Sequence, residues 1–90
     1  MNMRKFCFAT AALSLSAAAV AGPQCTEAPK SNWMSEDAMK QRIAADGYVV
    51  DKFKTTSGNC YEIYGKDKDG KKVEIYFSPV DGSIVKEKRA

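Results

Sequence analysis

From Cys60 to Val85 apolar and polar residues alternate with a period of two, and turn residues break the alternation twice. Tyr61 and Ile63 alternate with Glu62 and Tyr64. Val73, Ile75 and Phe77 alternate with Glu74 and Tyr76, and Ile84 and Val85 come after the second break. β-branched and aromatic residues at this spacing predict three strands, each buried on one face. A three-residue loop, Lys68-Asp69-Gly70, gives Gly70 the left-handed position that a side chain resists. It also sets Asp67 across from Lys71, Ile63 across from Ile75 and Tyr61 across from Phe77. Loops of two or four residues would oppose Ile63 to Tyr76 or Glu74, so the matching of apolar faces selects three. Ser78-Pro79-Val80-Asp81-Gly82 predicts the second turn, with Pro79 fixing φ and Gly82 free to take a positive one.

Upstream, the period changes. Met39 and Ile43 stand four apart, with Ala38 and Ala45 near them and Lys40, Gln41 and Arg42 elsewhere. This predicts a helix over about Glu36 to Asp46. Ser35 is a good N-cap, Glu36 and Asp37 suit the positive end of the helix dipole, and Gly47 ends the helix. Met34 and Met39 are placed for a hydrophobic staple. Trp33, just ahead, is expected in the core or as a lid over one end of the sheet. Tyr48 to Lys54 predicts another strand, with Val49, Asp51 and Phe53 on one side. Because Asp51 shares the apolar side, this strand is assigned to a sheet edge. Thr55 to Asn59 is a loop. The order is helix, then a four-stranded antiparallel meander, an α+β fold with one helix over the apolar face.

The first 21 residues change what the rest must do. Arg4 and Lys5 precede an uncharged, Ala-rich run from Phe6 to Val20, and Ala19-Val20-Ala21 is a small-x-small cleavage signal. This predicts a secretory signal peptide over residues 1–21, removed after Ala21. The run is shorter than the ~20 residues a membrane span needs. A periplasmic or secreted bacterial protein is therefore expected, without stable membrane insertion after cleavage. Residues 22–32, with Pro23 and Pro29, predict an irregular segment, and 33–88 the domain itself.

Beyond residue 21 the chain carries 12 basic and 11 acidic residues. That near balance argues against a nucleic-acid partner. Cys25 and Cys60 remain, an even count in an exported chain, which predicts a disulfide rather than a redox pair or metal thiolates. A domain this small has a thin core and gains from a staple.

The sequence has no His, which excludes His-based triads and general bases. Ser57 and Ser83 have no evident base partner. Asp67-x-Asp69-Gly70 has the look of a calcium loop, but aligning its glycine leaves Gly65 and Tyr76 where carboxylates belong. No enzyme activity, no cofactor and no metal is expected. Glu62 and Glu74 read as a solvated ladder with cross-strand cations such as Lys72. Tyr64 and Tyr76 on the same face, with polar neighbours, suit protein recognition.

These pieces together resemble the PepSY domain family, in particular its small exported single-domain members. The resemblance rests on Trp33-Met34-Ser35, Gly47-Tyr48-Val49-Val50 and Cys60-Tyr61-Glu62-Ile63-Tyr64. It rests also on Asp67 through Phe77 and on Pro79-Val80-Asp81-Gly82-Ser83-Ile84-Val85. It implies a module of one helix on an antiparallel sheet, found in protease propeptides and envelope proteins, that restrains peptidases or adjusts the local protease environment. The expectation is a non-enzymatic module that regulates a peptidase or another envelope protein through Tyr64, Tyr76, Trp33, Glu62 and Glu74. The alternative is a binder of a small ligand or an envelope polymer in a cleft near Trp33.

Overall fold

The structure, a computed structural model, describes residues 22–90; the expected signal peptide, residues 1–21, lies outside the described residues. A 3-10 turn (Lys30–Asn32) leads to helix α1 (Glu36–Ala45) and four strands: β1 (Val49–Thr55), β2 (Tyr61–Lys66), β3 (Lys72–Phe77) and β4 (Ile84–Arg89). The strands form one antiparallel sheet in the order β1-β2-β3-β4. Among the described residues no helix is long and apolar enough to cross a membrane.

Turn chemistry sets the sheet register. At the β2–β3 hairpin Asp67 N–H donates to the Lys71 carbonyl at 2.9 Å, and Gly70 N–H donates back to the Asp67 carbonyl at 2.9 Å. Gly70 has φ +82°, so the three-residue loop stands, and Ile63 pairs with Ile75 and Tyr61 with Phe77. The β1–β2 connection repeats the same bonds. Thr56 N–H donates to Cys60 carbonyl at 2.9 Å and Asn59 N–H donates to Thr56 carbonyl at 3.0 Å. Asn59 holds the left-handed position at φ +62°, which asparagine tolerates better than most residues.

The helix starts where its cap dictates: Ser35 Oγ accepts from the Ala38 N–H at 3.1 Å. Only Met39 and Ile43 on it are buried. Ala38 and Ala45 face solvent, so the apolar stripe is narrower than the spacing suggested. Met39 and Ile43 cover Tyr61, Ile63, Val73, Ile75 and Phe77, with Trp33, Met34, Tyr48, Val50 and Phe53 packed around them. Each such side chain fully withdrawn from water contributes roughly 1.5–3 kcal/mol. The Arg42 guanidinium donates to the Asp81 carbonyl at 2.7 Å, tying the helix to the β3–β4 turn.

Strand β1 departs from the expected alternation. Val50 pairs with Gly65 and Lys52 with Tyr64, so Asp51 is an extra, bulged residue. The bulge puts Val50, rather than Val49 or Asp51, on the side of Phe53; Val49 is 58% exposed. Asp51 therefore leaves the apolar side, and its carboxylate accepts from Lys66 Nζ at 3.3 Å.

Candidate functional site

Cys60, Glu62 and Tyr64 alternate with the core residues of β2 and so lie on the face away from α1. Cys60 is bonded to Cys25, with an S–S distance of 2.02 Å. The bond draws the segment after Gly22 onto that second face. There Cys25 N–H donates to the Gly58 carbonyl at 2.9 Å, and a side chain at Gly58 would come within 2.2 Å of the Pro23 oxygen. A Cβ on Gly22 would stand 2.7 Å from Tyr76 Cε2. The irregular segment is thus a partial cover for the second face.

Under that cover lies a group of two carboxyls and two phenols. Glu62 pairs across the strands with Tyr76, and Tyr64 with Glu74. The Asp67–Lys71 bond, followed along the ladder, makes both of these non-hydrogen-bonded pairs, in which side chains approach most closely. Tyr76 OH donates to Glu74 Oε2 at 2.9 Å. Lys54 Nζ stands 3.7 Å from Glu62 Oε1, and Lys88 Nζ stands 3.7 Å from Glu74 Oε1. Glu62 Oε2 is buried and has no hydrogen-bond partner among the described residues.

Burial raises the Glu62 carboxyl above its ordinary value, and the Glu74 carboxyl beside it raises it further. Glu62 in turn, with help from Tyr76, Tyr64 and Lys88, lowers Glu74. The two titrate as a coupled pair, Glu62 shifted up and Glu74 down. The two carboxylates push Tyr64 up to about 12, and burial, followed by hydrogen bonds to the same carboxylates, raises Tyr76 further.

This arrangement differs from the expected solvated ladder in two respects. Glu62 is 2% exposed and Tyr76 is 7% exposed, so neither presents a side chain for surface contact. Lys72 lies opposite Lys66 at the far end of the sheet, and Lys54 and Lys88 stand beside the carboxylates instead. Tyr64, 39% exposed, and half-buried Glu74 still reach the surface. Trp33 is separate from this group, on the helix side. Its ring meets Tyr61 edge-on at 5.7 Å and its Nε1 donates to the Ala28 carbonyl at 3.1 Å. A cleft of about 220 Å³ runs between Lys30, Trp33, Glu36, Thr55 and Tyr61.

The sequence pattern assigned only Ile84 and Val85 to this strand, and β4 runs on to Arg89. All six of its residues are exposed, at one edge of the sheet, beside exposed Val80. The brevity of the Ile84-Val85 apolar run, followed by four charged residues, is the signal that marks it as an edge. Among the described residues no group of three or more His, Cys, Asp or Glu is placed to hold a metal ion.

Compared with known proteins, the chain matches the pattern that defines the family described as peptidase propeptide and YPEB domain, over residues 5–88. No curated protein and no solved structure matches. With nearly the whole chain covered, and one helix on a four-stranded antiparallel sheet, the protein belongs to the PepSY family of peptidase propeptide and YPEB domains.

Proposed function

We propose that this is an exported, non-enzymatic module that regulates a peptidase or another envelope protein by surface contact. The observation that carries the reading is the open β4 edge. It offers unpaired backbone groups, exposed Ile84 and Val85, and the cations Lys86, Lys88 and Arg89 against the single acid Glu87. Edge lysines disfavour pairing between two copies of the same strand, while an extended segment with acidic side chains is attracted. Tyr64 extends the surface beyond the strand. It lines, with Lys72, Glu74, Lys88 and Arg89, a shallow depression of about 310 Å³. The family description supports a peptidase as the partner class.

The test is direct. Exported peptidases of the producing cell, purified one by one, are assayed with and without the oxidised chain beginning at Gly22. Saturable inhibition of at least one, weakened roughly tenfold by Tyr64→Ala, which corresponds to about 1.4 kcal/mol, is the expected result. Activity unchanged across the set, with no complex formed, overturns the reading.

The cleft beside Trp33 favours a second reading, a small ligand or envelope polymer bound there. Titration of Trp33 fluorescence with wall fragments and metabolites separates the two.

A further inference from the structure

Signal cleavage after Ala21 would do more than release the chain: it would turn the Gly22 amide into an α-ammonium. Gly22 lies against Tyr76, on the face of the sheet that holds the carboxyl pair. A Cβ there would sit 2.9 Å from Cζ and 3.0 Å from Oη of Tyr76, and that same hydroxyl donates to Glu74 Oε2 at 2.9 Å. The Tyr76 phenol thus spans from the Gly22 position to Glu74. Each carboxyl has one lysine at ion-pair distance, Lys54 Nζ 3.7 Å from Glu62 Oε1 and Lys88 Nζ 3.7 Å from Glu74 Oε1, but Glu62 Oε2 is buried with nothing donating to it among the described residues.

We propose that the Glu62–Glu74 carboxyl pair is the acceptor site for the amino terminus created by cleavage, so that processing completes the second face of the sheet. The inference rests on the export reading above. The ammonium supplies donors to a site in which the buried Glu62 Oε2 has none among the described residues. The Cys25–Cys60 bond, three residues downstream of Gly22, holds it in place. An amide at the same position has no charge and one donor. The charged and titratable groups around the pair are Lys54 from β1, Tyr64 from β2, Tyr76 from β3 and Lys88 from β4. Lys52, 6.0 Å from the Tyr64 ring, lies further out.

The experiment has two parts. Intact mass of the exported protein shows where it begins. On the chain beginning at Gly22, an NMR titration of the 15N-labelled α-amino group reads its pKa. An ion-paired terminus titrates above the ordinary range of about 7.7–8.0, and Glu74→Gln returns it towards that range. Acetylating the Gly22 amine serves as a second measure that leaves every side chain intact. It lowers Tm by about 2–6 °C near neutral pH. That difference disappears as pH rises through the α-amino pKa, because the stabilising form is the protonated one. A chain that keeps its first 21 residues overturns the export reading and the proposal with it. A chain beginning at Gly22 whose amine titrates in the ordinary range, with Tm indifferent to acetylation, overturns the proposal alone.

Discussion

Three residues show how far a single position is set by its surroundings. Glu62 sits in a sequence pattern that reads as solvent-facing, yet it is 2% exposed. Its burial costs more in the charged form, so the folded state binds a proton at Glu62 more tightly than the unfolded chain does. The contribution is therefore greatest at low pH and is lost as pH rises through the raised folded value. Glu62→Gln is expected to stabilise the protein by about 1 kcal/mol at neutral pH, because a neutral amide is cheaper to bury than the carboxylate and can donate to Glu74. Urea titrations of both forms across the acid range check this, and a less stable variant at neutral pH would contradict it. Asp67 has the opposite sign. The Lys71 and Asp69 N–H groups, with Arg89, hold its carboxyl below the usual range. Its stabilisation is present above the unfolded value and is lost as pH falls through the folded one. Asp67→Asn is expected to flatten the acid arm of the stability curve. Gly65 is the third such position. A Cβ there would come within 2.0 Å of the Val49 carbonyl oxygen, a backbone atom that cannot swing away. Gly65→Ala is expected to cost about 2 kcal/mol or more and to free the start of β1. Amide exchange at Val49 and Val50 reads it.

At the level of elements, the two hairpins explain why most of the sheet is legible in the sequence and its edges are not. The β2–β3 register follows from apolar matching and one glycine, both local features, and the structure shows that register. The helix follows from its cap and from Met39 and Ile43 in the same way. The bulge at Asp51 has no such signature, since a bulge leaves the residue order intact and shifts only the partner strand. Strand β4 carries a second irregularity between Ile84 and Lys86, opposite Phe77 and Tyr76. Past it the ladder is regular. Ala90 N–H donates to the Lys72 carbonyl, so by alternation Lys88 and Lys86 face β3 while Glu87 and Arg89 face outward. Proline at an outward position removes an edge donor and spares the internal ladder. Glu87→Pro is therefore expected to abolish capture of an extended peptide or peptidase while leaving Tm within about 2 °C of the parent. Loss of Tm without loss of binding would place contact elsewhere.

The whole molecule depends on one covalent tie across its second face. Cys25 and Cys60 are 35 residues apart, and closing a loop of that length contributes roughly 3–4 kcal/mol on the chain-entropy account. Removing it with Cys25→Ser and Cys60→Ser is expected to lower stability by about that amount. The change is also expected to expose Tyr76, which the Gly22 end now shields. Chemical denaturation measures the first and tyrosine nitration the second. Unchanged stability would mean that the segment holds without the bond. The sequence by itself determined the α+β class, the helix with its cap, the hairpin register and the pairing of two cysteines, because each is set by neighbours a few residues apart or by a count of two. Only the tertiary structure decided that Glu62 and Tyr76 are covered and that Asp51 bulges outward. Those outcomes depend on which distant backbone lies over a given face, and alternation along one strand carries no information about what packs above it.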